Sequence, residues 1–123
     1  MQYMLLIYTS EDASSGWSEE QVKEIIGRYE EFAAEQKAAG RYVDALRLDT
    51  SETVRTVRIR EGGGTATTDG PFVETKELLA GYFVLECASR DEAVEQAKKI
   101  PGAEHGTVEV RGVIDLPALL GRA

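Results

Sequence analysis

Little in this chain could hold a metal or close a disulfide. Cysteine and histidine occur once each, as Cys87 and His105. One thiol cannot form an internal disulfide, and no Cys/His pair exists to build a zinc site, so neither metal nor cofactor is expected. Basic residues are also scarce, 14 against 22 acidic ones, for a net charge of −8. A surface of that sign is a poor partner for phosphate backbones or anionic lipid, and the basic residues are scattered, so neither nucleic acid nor membrane is expected as a partner. Long apolar runs are missing too. The first, Tyr3 to Tyr8, is too short for a membrane span or for a signal-peptide core with its flanks, which makes a cytoplasmic location the default expectation.

What is present is the composition of a folded protein: 123 residues, 42% hydrophobic and 29% charged. That length suits one domain, residues 1–123, around a single hydrophobic core. Cys87 ends the apolar run Tyr82-Phe83-Val84-Leu85-Glu86-Cys87, where a buried structural thiol is expected rather than a nucleophile.

Hydrophobic spacing divides the chain into strands and two helices. Residues 3–9 read as a strand whose continuous apolar character implies burial on both faces. A helix follows from Ser18, with Gln21 completing a capping box and Trp17 and Val22 at the staple positions. Val22, Ile25, Ile26, Tyr29, Phe32 and Ala33 form its apolar stripe, and Gly40 ends it. Strands are expected at 42–48 and 53–60, the latter with a bulge near Thr56, because Val54, Val57 and Ile59 break alternation once. Gly62-Gly63-Gly64 is a turn. It lacks the lysine and the strand–loop–helix context of a phosphate loop. Residues 65–68 are short enough to pair as a minor strand, and 79–87 form a major one. Ser89 with Glu92 predicts a second capping box and helix, stopped by Pro101-Gly102. Strand 107–113 and one helical turn at 115–120 close the chain.

The order β-α-β-β-(loop)-β-α-β predicts an α+β fold, a ferredoxin-like split βαβ sandwich with an antiparallel sheet and two helices on one face. The other sheet face would stay apolar along residues 3–8 and 82–85. A second copy of the chain is the expected cover, giving a homodimer.

The polar segment Thr68-Asp69-Gly70-Pro71-Phe72-Val73-Glu74-Thr75-Lys76 combines an acid, a flexible glycine, a rigid proline and an aromatic. Such shaped loops on rigid scaffolds often carry function. With it, Tyr3 to Tyr8, Lys37-Ala38-Ala39-Gly40, Gly81-Tyr82-Phe83, Ile100-Pro101-Gly102 and His105 to Arg111, the chain resembles the YCII-related family, and its DGPF branch in particular. The resemblance implies a dimeric α+β barrel. It also implies a His–Asp pair, proposed as the active site of some relatives, and one branch that eliminates chloride from a ring-cleavage product. A regulatory link to extracytoplasmic-function sigma factors is implied as well. Asp69 matches the acid of the pair. The histidine position falls near Tyr29, and tyrosine, with an ordinary pKa of about 10, does not replace an imidazole base like for like.

Three residues are therefore candidate catalytic groups, each with a plainer account beside it. Asp69 is a general base or an Asx-turn acceptor. Tyr29 is a proton donor or a core tyrosine with its hydroxyl at the edge. His105 is an acid–base group if it folds back to a cleft, since imidazole ordinarily changes charge near neutrality, or a solvated loop residue. Arg58, Arg60 and Arg111, together with Arg47, are candidate contacts for a carboxylate-bearing ligand, or else form cross-strand ion pairs with Glu86 or Glu109, and Tyr82 is a further candidate substrate contact. Two functions follow. One is a cofactor-free lyase or isomerase moving a proton on a small polar organic acid. The other is a non-catalytic module that binds a small ligand or a regulatory protein.

Overall fold

The computed structural model describes residues 1–10, 12, 15–70 and 77–121. The Pro71–Lys76 part of the shaped loop therefore lies outside the described residues. The chain runs β1 (Gln2–Thr9), α1 (Glu19–Ala38), β2 (Tyr42–Arg47), β3 (Arg55–Ile59), β4 (Thr65–Asp69), β5 (Leu78–Glu86), α2 (Arg90–Ala97), α3 (Gly102–His105), β6 (Gly106–Gly112) and α4 (Leu116–Leu119). Four strands form one sheet in the order β2-β5-β1-β6, while β3 and β4 pair separately. All these pairings are antiparallel. This is the expected ferredoxin-like arrangement, with a hairpin inserted between β2 and β5.

The core explains why β1 is so apolar. Tyr3, Leu5 and Ile7 are buried beneath the helices, against Phe83 and Leu85 of β5, Phe32 of α1 and Ala93 and Ala97 of α2. Both long helices thus cover the same face. On the opposite face Met4, Leu6, Tyr8 and Tyr82 are half-buried, and Leu46 of β2 is 57% exposed. Cys87 is buried, as expected, and burial pushes its thiol pKa up.

The helix caps largely follow the sequence signals. Ser18 Oγ accepts from the Gln21 N–H (3.2 Å), and Gln21 Oε1 accepts from the Ser18 N–H (2.8 Å), a complete capping box. At α2 only half of the expected box forms. Ser89 Oγ accepts from the Glu92 N–H, but Glu92 Oε1 reaches the Ala88 N–H instead of that of Ser89. Pro101-Gly102 does not stop α2 directly; α2 ends at Ala97 and Pro101 caps the short α3. The bulge expected near Thr56 is absent. The β3–β4 register is regular, since Val54 precedes the strand and only Val57 and Ile59 belong to it. Register shifts occur instead at Ile7/Tyr8 and Tyr42/Asp44.

One buried polar link ties the helices together. Gln36 of α1 is fully buried; its Nε2 donates to Gln96 Oε1 (2.9 Å), and its Oε1 accepts from Arg41 Nε (2.7 Å). A buried polar group left without its partner costs far more than its hydrogen bond contributes. Gln36→Ala strands Gln96 and opens a cavity. The expected loss is about 2 to 4 kcal/mol, measured as a shift in urea midpoint with an unchanged slope.

Candidate functional site

The apolar stripe of α1 is not all core. Phe32 lies edge-on to Phe83 (centroids 4.9 Å apart, 75°) and is buried, so the C-terminal half of the helix sits down on the sheet. Toward the N-terminus, Val22 and Ile26 are 40% and 46% exposed. There the helix stands off the sheet, and the gap is a cleft of about 600 Å³. Its walls are Val22, Ile25 and Ile26 on α1, and its floor is Ile7, Ala45 and Phe83 on the sheet. Polar groups reach it at several points: Tyr29 and Glu30 from α1, Thr9 and the following Ser10 at the end of β1, Arg47 from β2, Tyr82 from β5, and Trp17 and His105. A mostly apolar cavity with a few convergent polar groups is the usual form of a small-molecule site.

Two missing side chains shape this cleft. A Cβ on Gly102 would lie 2.8 Å from Tyr29 Oη and 2.7 Å from Ile7 Cγ2, so only glycine lets the phenol reach the α3 backbone. A Cβ on Gly81 would lie 2.6 Å from the Leu46 carbonyl oxygen and 3.2 Å from Arg47 Cα, so glycine brings β2 close where Arg47 enters the site.

Tyr29 is the best-defined polar group. Burial raises its pKa above 10.0, while a backbone hydrogen bond with Gly102 and the charges of Arg47 and Arg28 pull it down by less. The Tyr29 hydroxyl lies close against the Gly102 backbone. The phenol keeps its own hydrogen and remains a neutral donor. Trp17 and His105 meet edge to face, with centroids 5.0 Å apart at 69°. His105 Nε2 is 3.8 Å from Glu104 Oε2, and Glu104 is itself held bidentately by Arg28 (2.9 and 2.5 Å). Arg28 and His105 together hold the Glu104 carboxyl below its usual range, the Arg28 hydrogen bond most strongly.

The residues expected from sequence are thereby sorted. Tyr29, His105, Tyr82 and Arg47 line one cleft. The Tyr82 hydroxyl, however, donates to Asp44 Oδ2 (3.4 Å), which shares the sheet face opposite Phe83. Burial, with the charge and hydrogen bond of Asp44, raises the Tyr82 pKa. Asp69 is not among the described lining residues. It ends β4, its side chain is 86% exposed, and its Oδ1 is 3.0 Å from Arg55 Nε. Arg58 lies on the same hairpin, and Arg111 sits on β6 with its Nε 3.7 Å from Glu109 Oε1. Neither lines the cleft. The sequence reading did not select Trp17 or Glu30 for the site. Trp17, at the position preceding the Ser18 cap, carried the available signal. Among the described residues no three His, Cys, Asp or Glu side chains gather as metal ligands, and no helix is long and apolar enough to cross a membrane.

The raised Tyr29 pKa has a definite consequence at alkaline pH. Above 10.0 the unfolded chain loses the Tyr29 proton first, while the folded chain still holds it. Stability therefore falls as pH rises through the folded pKa. The stability difference between the native chain and Tyr29→Phe should shrink from about pH 8 to about pH 11, measured by urea unfolding at both values.

Comparison with known proteins identifies the family of the chain. The YCII-related domain matches residues 1–117. An uncharacterized protein of Rhizobium meliloti (strain 1021) is 34% identical over 113 residues, 90% of each chain. The sheet order, the inserted hairpin and these matches lead to one conclusion: the chain belongs to the YCII-related family.

Proposed function

We propose that this protein transfers a proton on a small organic acid in the α1–sheet cleft, as an isomerase or lyase. The observation that carries this reading is the convergence of His105, Tyr29 and Arg47 on one apolar-walled cavity. Arg47 receives the carboxylate. His105 removes a proton from the carbon beside the ligand's carbonyl or carboxyl group. The electron pair moves onto that oxygen, where the neutral Tyr29 phenol donates a hydrogen bond to the developing charge. The proton then returns to another carbon, or a leaving group departs from the adjacent one. Asp69 enters this reading only as a surface ion pair with Arg55.

The test needs no knowledge of the product. A panel of 2-oxo and unsaturated acids is incubated with the protein in D2O, and loss of C–H signals is followed by proton NMR. Exchange should appear with at least one acid and drop by roughly 100-fold or more in His105→Gln, with a smaller loss in Tyr29→Phe. Exchange that persists unchanged in His105→Gln removes its assigned role. Saturable binding without any exchange leaves a ligand-binding module in place of an enzyme.

The apolar character of Leu6, Tyr82 and Leu46 on the open sheet face supports a further part of this reading, a second copy packed face to face on it. Equilibrium sedimentation should then give a dimer at micromolar concentration, and a monomer there rejects it.

A further inference from the structure

We infer that the ligand of the cleft is an apolar-bodied, ring-bearing monocarboxylate rather than a polar or doubly charged acid; this rests on the cleft being the functional site, as proposed above. Charge comes first. Among the described lining residues Arg47 is the one side chain of fixed positive charge, and no hydrogen-bond or ion-pair partner satisfies it among the described residues. By contrast, Arg28, Arg55 and Arg111 each sit against a carboxylate. A guanidinium left open at an apolar cavity matches one carboxylate in a forked pair of hydrogen bonds. A second carboxylate on the ligand would meet only Glu30 or apolar wall, and a desolvated, unpaired charge is expensive.

The walls define the rest of the ligand. Ile7, Ile25 and Phe83 offer no hydrogen bonds, and Val22 and Ile26 keep 40% and 46% of their surface exposed over the cleft. Thr9, Ser10 and Glu30 could meet a hydroxyl or two, but a sugar acid would lose water at every further hydroxyl that faces this wall. A hydrophobic ring would instead cover those isoleucines and valine. The edge-to-face pair of Trp17 and His105 at the rim adds aromatic surface suited to a planar group. The Tyr29 hydroxyl, which lines the cleft beside Gly102, offers a hydrogen to the carboxylate side of the ligand.

The probes are phenylacetate, its neutral amide phenylacetamide, and succinate. Binding is followed by calorimetry and by the fluorescence of Trp17, the sole tryptophan of the chain. Phenylacetate should bind saturably, phenylacetamide about tenfold or more weakly, and succinate more weakly than phenylacetate. Arg47→Gln should bring the acid down to the level of the amide, while Arg47→Lys restores part of the difference. Arg47 is exposed, so both variants keep the fold intact, and circular dichroism checks this. Equal binding of acid and amide, tighter binding of succinate, or no saturable binding of either ring compound overturns the inference. Selective acid binding without proton exchange defeats the proton-transfer reading alone and leaves this ligand class standing. Exchange on another acid without phenylacetate binding defeats the ligand class alone.

Discussion

The anchoring of α1 at one end decides the shape of everything around it. Phe32 against Phe83 and the Gln36–Gln96–Arg41 link hold the C-terminal half of the helix to the sheet and to α2. Interiors are packed too tightly to let that half tilt. The first turns, by contrast, carry Val22 and Ile26 over open space. A helix is stiff over its length, so pinning one end at a fixed angle props the other away from the sheet. The cleft is the gap that remains, and α3 closes one side of it through Gly102.

Contacts with α3 give the cleft its chemistry. Gly102 leaves room for the Tyr29 hydroxyl against the α3 backbone, so a phenol on the helix stripe reaches the cleft instead of ending as a loose core edge. His105 ends the same four-residue helix and meets Trp17, which precedes the Ser18 cap. The cap, the helix stripe and α3 therefore act together: each would have little to offer a ligand without the others. Arg47 joins them because Gly81 lets β2 approach β5 at the cleft edge.

Local signals in the sequence were reliable where the physics was local. The Ser18–Gln21 box depends on residues three apart and formed as read. The sheet order followed from the alternation of long strands and helices, since short connections leave few topologies. The expected bulge near Thr56 failed because Val54 was counted into the strand, whereas a short helical turn at Ser51–Thr53 delays its start to Arg55. Glu92 was expected to serve the Ser89 N–H and serves that of Ala88, because a side chain chooses among neighbouring donors by rotamer. Gln36 drew no attention, as a glutamine on a helix is ordinarily solvated. Arg47, Arg58 and Arg111 looked alike in sequence, and only Arg47 lines the cleft.

Sequence alone determined the class of fold, the helix starts, the burial of Cys87 and the family. Each of these rests on periodicity, capping or motif, which are properties of neighbouring residues. It also marked Tyr29 and His105 as the groups to watch. Only the tertiary structure decided that these two meet at one cleft while Asp69 lies out on the β3–β4 hairpin beside Arg55. It alone placed Arg47 at the cleft with no carboxylate paired to it among the described residues. Such facts depend on where separate elements come to rest against each other, and packing between distant segments has no trace in the spacing within either one.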